Sequence, residues 1–256
     1  MWFFRPKPPV DADEFEWLLA CFAWIHRKMA PDDAKVGFQP VLARHDTPEI
    51  ADAEGATSLF AAVRSIAGLE HWHCELQQGE PALIDERTVP YGEFSTRRAL
   101  GTFSVEGNTP VIRYDPGLLR NPEALTATFA HELAHLLGHS LGLPPGGEEL
   151  EEHATDCIAV YLGFGVFLAN TARHFSQFSD GQVQGWQSST SGYLSEQALV
   201  TLTAMFVRLF GIAPDMASVP LKPYLRTDFA KALKHLDREC PDFPAALASV
   251  DLGVWA

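Results

Sequence analysis

Cysteine is scarce and scattered in this chain. Four residues, Cys21, Cys74, Cys157 and Cys240, include no Cys-x-x-Cys pair. That excludes a zinc ribbon. The spacing is not that of a compact disulfide scaffold either, so buried free thiols in a reducing compartment are expected. Positive charge is also short: 19 Lys and Arg face 33 Asp and Glu, a formal net charge of −14. Binding to phosphates needs a basic face, and none is visible. Nucleic acid is therefore excluded as a partner, while neutral or cationic peptide segments stay open. Long apolar runs are missing too. The longest, Cys157 to Ala169, has 13 residues and two glycines, against about 20 needed to span a bilayer. Met1-Trp2-Phe3-Phe4 is cut at once by Arg5-Pro6-Lys7-Pro8-Pro9 and is not a signal peptide. The expectation is a cytoplasmic protein without a membrane partner. No internal repeat or low-complexity tract is evident.

What remains is ordinary for a folded domain: 46 % hydrophobic and 20 % charged residues over 256 positions, enough to bury a full core. Apolar spacing predicts helices over Asp13 to Met29 and Ala56 to Leu69. Strands are predicted at Lys35 to Ala43 and His71 to Leu76, and a hairpin from Gly101 to Ser104 and Thr109 to Tyr114 around the turn-like Val105-Glu106-Gly107-Asn108. His71 and His73 would share a strand face, better explained by partial exposure than by metal. Ser176 to Gly192, with Trp186 in the middle, reads as a loop beside the site. Ser195 caps a helix carrying Leu199, Leu202, Phe206, Leu209 and Phe210, which ends near Gly211. Pro214 to Pro223 reads as a loop and Thr227 to Glu239 as a last helix. The fold class is α+β, mainly helical, with a small sheet. One domain covers residues 1–256, with a sheet-and-helix lobe over about 1–145 and a helical lobe over about 146–256.

The segment that carries chemistry is His131-Glu132-Leu133-Ala134-His135. Two histidines four residues apart lie on one helix face, one turn above the other. They can hold one Zn²⁺, with Glu132 beside the metal as a general base for a metal-activated water. The context is helical. Asn121-Pro122-Glu123 supplies a cap, a first-turn proline and a favourable charge. Leu125, Phe129, Leu133, Leu136 and Leu137 form an apolar stripe away from the histidines, and Gly142 with Pro144-Pro145 ends the helix.

A catalytic zinc usually has three protein ligands. A third histidine six residues beyond His135 would complete one known pattern, but Leu141 stands there. His139 lies another helical step on and points past the metal. The acidic segment Glu148 to Asp156 is the better source. Glu152, Asp156, Ala159 and Gly163 share one helix face. Glu152 would bind zinc, and Asp156 would accept a hydrogen bond from a ligating histidine. Glu151, Glu149 and His153 remain alternatives to Glu152. A plain acidic helix start explains Glu148, Glu149 and Glu151, but not Asp156 inside the apolar part.

His131-Glu132-x-x-His135 followed by Glu152-x-x-Thr155-Asp156 resembles the gluzincin pattern, whose downstream helix carries Glu-x-x-Ala-Asp. It is most similar to the small HtpX-type and ImmA/IrrE-type gluzincins, over residues from about Asn121 to Gly165, with Thr155 in place of alanine. The resemblance implies a zincin-like catalytic domain with one Zn²⁺ and peptide-bond hydrolysis. It also implies that strand Pro110 to Tyr114 forms the edge of the sheet over the cleft, where a peptide adds itself as a further strand. His174 and Tyr193 are candidates for stabilising the oxyanion. The competing reading is a regulatory or partner-binding protein that keeps zinc as a clamp with little or no turnover. Glu132 argues against it, since a structural site has no use for a general base.

Overall fold

The computed structural model describes residues 7–29, 40–79, 100–177 and 193–255. Along the chain come α1 (Ala12–Met29), α2 (Pro48–Ala51), α3 (Gly55–Ile66), β1 (Glu75–Gln78), β2 (Gly101–Glu106) and β3 (Thr109–Tyr114). They are followed by α4 (Pro122–Leu141), α5 (Glu151–Ala159), α6 (Gly165–Gln177), α7 (Glu196–Leu209), α8 (Pro214–Ser218), α9 (Pro223–Glu239) and α10 (Phe243–Ser249). The fold is α+β and mainly helical, with a small three-stranded sheet.

Short polar side chains and prolines set the helix starts. The Asn121 side chain accepts from Ala124 N at 3.2 Å, with Pro122 in the first turn of α4. The Ser195 hydroxyl accepts from Ala198 N at 3.0 Å to start α7. Gly142, at φ 84°, ends α4.

The sheet order is β1-β3-β2, with β1 parallel and β2 antiparallel to β3. This corrects the expectation that β3 is the edge over the cleft. Among the described residues β3 is central, and β2 is an edge strand that packs against α4. The hairpin itself is as expected, closed by Gly107 and Asn108 between strands that run on to Glu106 and start at Thr109. β1 starts later than its alternation suggested; residues 71–74 form a turn and irregular chain leading into it. The strand expected over 35–43 is not found. Residues 35–39 lie outside the described residues, and 40–43 are irregular. The loop expected over 214–223 contains α8 and ends on the first residue of α9.

α4 runs through the middle of the molecule. β2, β3, α3, α5 and α6 all pack on it. It is therefore buried nearly all round, His131 and Glu132 included, rather than along one stripe. Phe129 is fully buried, with the rings of Phe60 and Tyr114 at 5.1 and 5.7 Å. Cutting it to alanine would cost about 3–5 kcal/mol.

The apolar run 157–169 is not one straight helix. α5 passes through a π-helical turn, Val160–Phe164, into α6, and Gly163 sits at φ 104°. A Cβ there would lie 2.0 Å from Val41 O, and Ala43 N donates to Gly163 O at 2.9 Å. Glycine lets the chain at 41–43 cross the kink at contact distance. The helical stretch Glu148–Ala172, 25 residues with an 18-residue window at a mean hydropathy of 1.3, is long and apolar enough to cross a membrane by length and composition. Counting the apolar run alone had missed this. Its apolar window is wholly buried inside the molecule. α1 lies across α5 and α7, with Trp17, Leu18, Phe22 and Ile25 fully buried. The four cysteines are free; Cys74 is half-buried and the other three are buried.

Candidate metal centre

The four-residue spacing brings His131 and His135 together on α4, ring centroids 4.8 Å apart and nearly perpendicular. Their Nε2 atoms stand 3.1 Å from each other. Glu152, on the first turn of α5, completes a triangle. Its Oε2 lies 3.5 Å from His131 Nε2 and 3.6 Å from His135 Nε2. These three residues can hold a metal ion. The alternatives for the third position point elsewhere. Neither Glu149 nor Glu151 joins this group among the described residues, and His153 is buried with its ring edge-on to Trp17 at 6.2 Å. His139 is exposed, and neither it nor His71 or His73 joins such a group among the described residues.

The outer nitrogen of each ring meets α5 as well. Asp156, one turn beyond Glu152, is buried, and its Oδ1 lies 2.9 Å from His131 Nδ1. Its Oδ2 accepts from Leu194 N at 2.8 Å. A carboxylate only accepts, so Nδ1 of His131 carries a proton and its Nε2 faces the triangle. Thr155 Oγ1 lies 3.4 Å from His135 Nδ1. Phe103, on β2, stacks against His135 at 6.3 Å and 8°.

Electrostatics gather at the same point. Burial pushes the His131 imidazole down, but hydrogen bonds to Asp156 and Glu152 and the charges of Asp156 and Glu132 outweigh it. The result is a rise to about 10. Hydrogen bonds from His131 and then His135 hold the Glu152 carboxyl well below the usual carboxylate range. Burial pushes the Glu132 carboxyl up, and Glu152 adds to this, against the charges of His131 and His135. Two imidazoles and a carboxylate thus converge on a spot that wants positive charge, with a second, buried carboxyl beside it.

Glu132 is 4 % exposed and lies beneath the edge strand. A Cβ added at Gly101 would come within 2.7 Å of Glu132 Oε1 and 2.5 Å of Thr128 Cγ2. The missing side chain is what lets β2 approach. Sequence reasoning missed Gly101, Phe103, the Thr155 contact and the Leu194 amide. Only the alternation Gly101-x-Phe103, two residues on one strand face, offered a signal. Of the two oxyanion candidates, Tyr193 has its ring centroid 5.0 Å from that of His131. His174 falls on α6, with its side chain outside the described residues. Of the loop expected over 176–192, residues 176 and 177 belong to α6 and the rest lie outside the described residues. No protein-family model, curated protein or solved structure matches this chain.

Proposed function

We propose that this chain is a zinc-dependent peptide hydrolase of the gluzincin kind, acting on peptide or protein substrates. The observation that carries the reading is the triangle of His131 Nε2, His135 Nε2 and Glu152 Oε2 with Glu132 beside it. Two imidazoles and a glutamate are a known catalytic zinc set. Donors bound to tetrahedral zinc at about 2.0–2.2 Å lie roughly 3.3–3.6 Å from one another. The separations of 3.5 and 3.6 Å match that range, and the 3.1 Å between the two Nε2 atoms is close to it. A helix that packs against both a small sheet and the helix carrying Glu152 also supports a zincin-like arrangement.

His131, His135 and Glu152 would hold the ion. Zinc, when bound, lowers the pKa of water and polarises a carbonyl. Glu132 takes the proton from the attacking water and returns it to the leaving amine. Asp156 keeps His131 in the tautomer that offers Nε2. Among the described residues β2 pairs on one side only, with β3. A peptide laid along its free side runs past Gly101 and Glu132, held by backbone hydrogen bonds.

The test is turnover of a mixed peptide library by the zinc-loaded chain and by its Glu132→Gln form. Cleavage by the wild type, lost on substitution with zinc retained, is the expected result. Zinc without turnover in either form would favour the regulatory reading. No zinc in either form would remove the basis of both.

A further inference from the structure

We propose that Thr155 is the positioning residue for His135, doing with a hydroxyl what Asp156 does for His131 with a carboxylate. The inference rests on the metal-centre reading above. It concerns the position where the chain departs from the Glu-x-x-Ala-Asp pattern. An alanine there has no polar atom to offer.

Three observations lead to it. First, the Thr155 hydroxyl donates its single proton to Glu151 O at 2.9 Å. Toward His135 Nδ1, at 3.4 Å, it can therefore only accept. With a metal ion on Nε2 the proton of His135 sits on Nδ1, where the Thr155 oxygen can accept it. The χ1 of a helical threonine is restricted, and its hydroxyl commonly bonds the carbonyl four residues back. The acceptor lobe is thus aimed by the helix itself. Second, Thr155 is 2 % exposed, so water has little room to replace the hydroxyl. Third, the other close neighbour of His135 fixes only its plane. Phe103 lies almost parallel to the ring, at 8°, and an aromatic face stacked on an imidazole presents no acceptor to Nδ1. One turn of α5 then addresses both imidazoles: Glu152 meets the two Nε2 atoms, Thr155 the Nδ1 of His135 and Asp156 the Nδ1 of His131.

The test reads the His135 Nδ1–H and metal affinity rather than turnover. Proton NMR of the zinc-loaded wild type should show a His135 Nδ1–H resonance protected from exchange with water. In Thr155→Val that resonance should exchange faster or be lost, and zinc affinity by competition with a chromophoric chelator should fall about 10-fold, the low end for loss of an outer hydrogen bond. Thr155→Ser should restore both. If Thr155→Val does not fold, Thr155→Ala takes its place with the same expectation. Valine or alanine variants that keep the wild-type protection and affinity would refute the role, as would an unprotected Nδ1–H in the wild type. A wild type that binds no zinc would defeat the metal-centre reading, and the role of Thr155 with it.

Discussion

His131 and His135 belong to the same motif, yet the protein holds them differently. The His131 side chain is 5 % exposed and that of His135 19 %. The first is fastened by a buried carboxylate at 2.9 Å, itself tied to the backbone of Leu194 just before α7. The second has a hydroxyl at 3.4 Å and an aromatic face. A fully buried imidazole that carries or meets positive charge needs an anionic partner, because water is not there to share the load. A ring at the mouth keeps some hydration, and a neutral acceptor suffices. The deep half of the centre is thereby linked to the C-terminal helices, and the outer half to the edge strand.

Breaking what the two halves share should have the largest effect. Glu152 reaches both rings, so Glu152→Ala should weaken zinc binding by more than the roughly 100-fold upper range for an outer partner. Glu151→Ala, about 100° away around the helix, should leave it within about two-fold. A calorimetric zinc titration reads both variants. If Glu151→Ala were the severe one, the register of the ligand helix assigned here would be wrong.

Next comes the deep half alone. Asp156→Asn should cost about 10- to 100-fold in zinc affinity, more than Thr155→Val does on the outer half. A smaller loss than at Thr155 would reverse the comparison between the two rings. The same chelator competition decides it.

Gly101→Ala tests the edge strand. The new methyl collides with Thr128 and Glu132. Turnover should drop about 10- to 100-fold, as displacement of a reacting group by about 1 Å does, while zinc content stays whole. Loss of zinc in this variant would mean that β2 supports the ligands themselves and not only Glu132.

The smallest effect lies away from the site. Glu14, on the first turn of α1, is raised to about 7 by burial and, next, by the charge of Asp11. Its folded value lies above its unfolded value of about 4.3. Its contribution to stability is fully present below the unfolded value and is lost as pH rises through about 7. Thermal melts of the zinc-loaded protein should fall between pH 5 and 8 less in Glu14→Gln than in the wild type. An unchanged fall would put that pH dependence in other groups.

Sequence periodicity disclosed what is local. α1, α3, α4, α7 and α9 lie within a few residues of their expected places, because caps, prolines and apolar spacing act within a few turns. The hairpin was legible for the same reason. The four-residue spacings of His131 with His135, and of Glu152 with Asp156, announced which side chains share a helix face. What brings the two pairs together is the packing of α5 on α4, a long-range contact. Residues 40–43 look like a strand by composition, but their amide partner is Gly163 O, across the kink between α5 and α6. The apolar stripe on α4 is buried but is only part of its buried surface, since small residues such as Ala127, Ala130 and Ala134 are buried on its other faces. In the sequence, Thr155 is only a departure from alanine. Its hydroxyl matters only because Glu151 O takes its proton and His135 stands beyond.

The central claim is that three residues bind one ion and Glu132 stands beside it. Titration of zinc into the metal-free wild type, Glu132→Gln, His131→Ala and His135→Ala forms tests this most directly. About one zinc per chain should bind in the first two, and tight binding should vanish in both histidine variants. A wild type that takes up no zinc, or a Glu132→Gln form that loses it as the histidine variants do, would contradict the account.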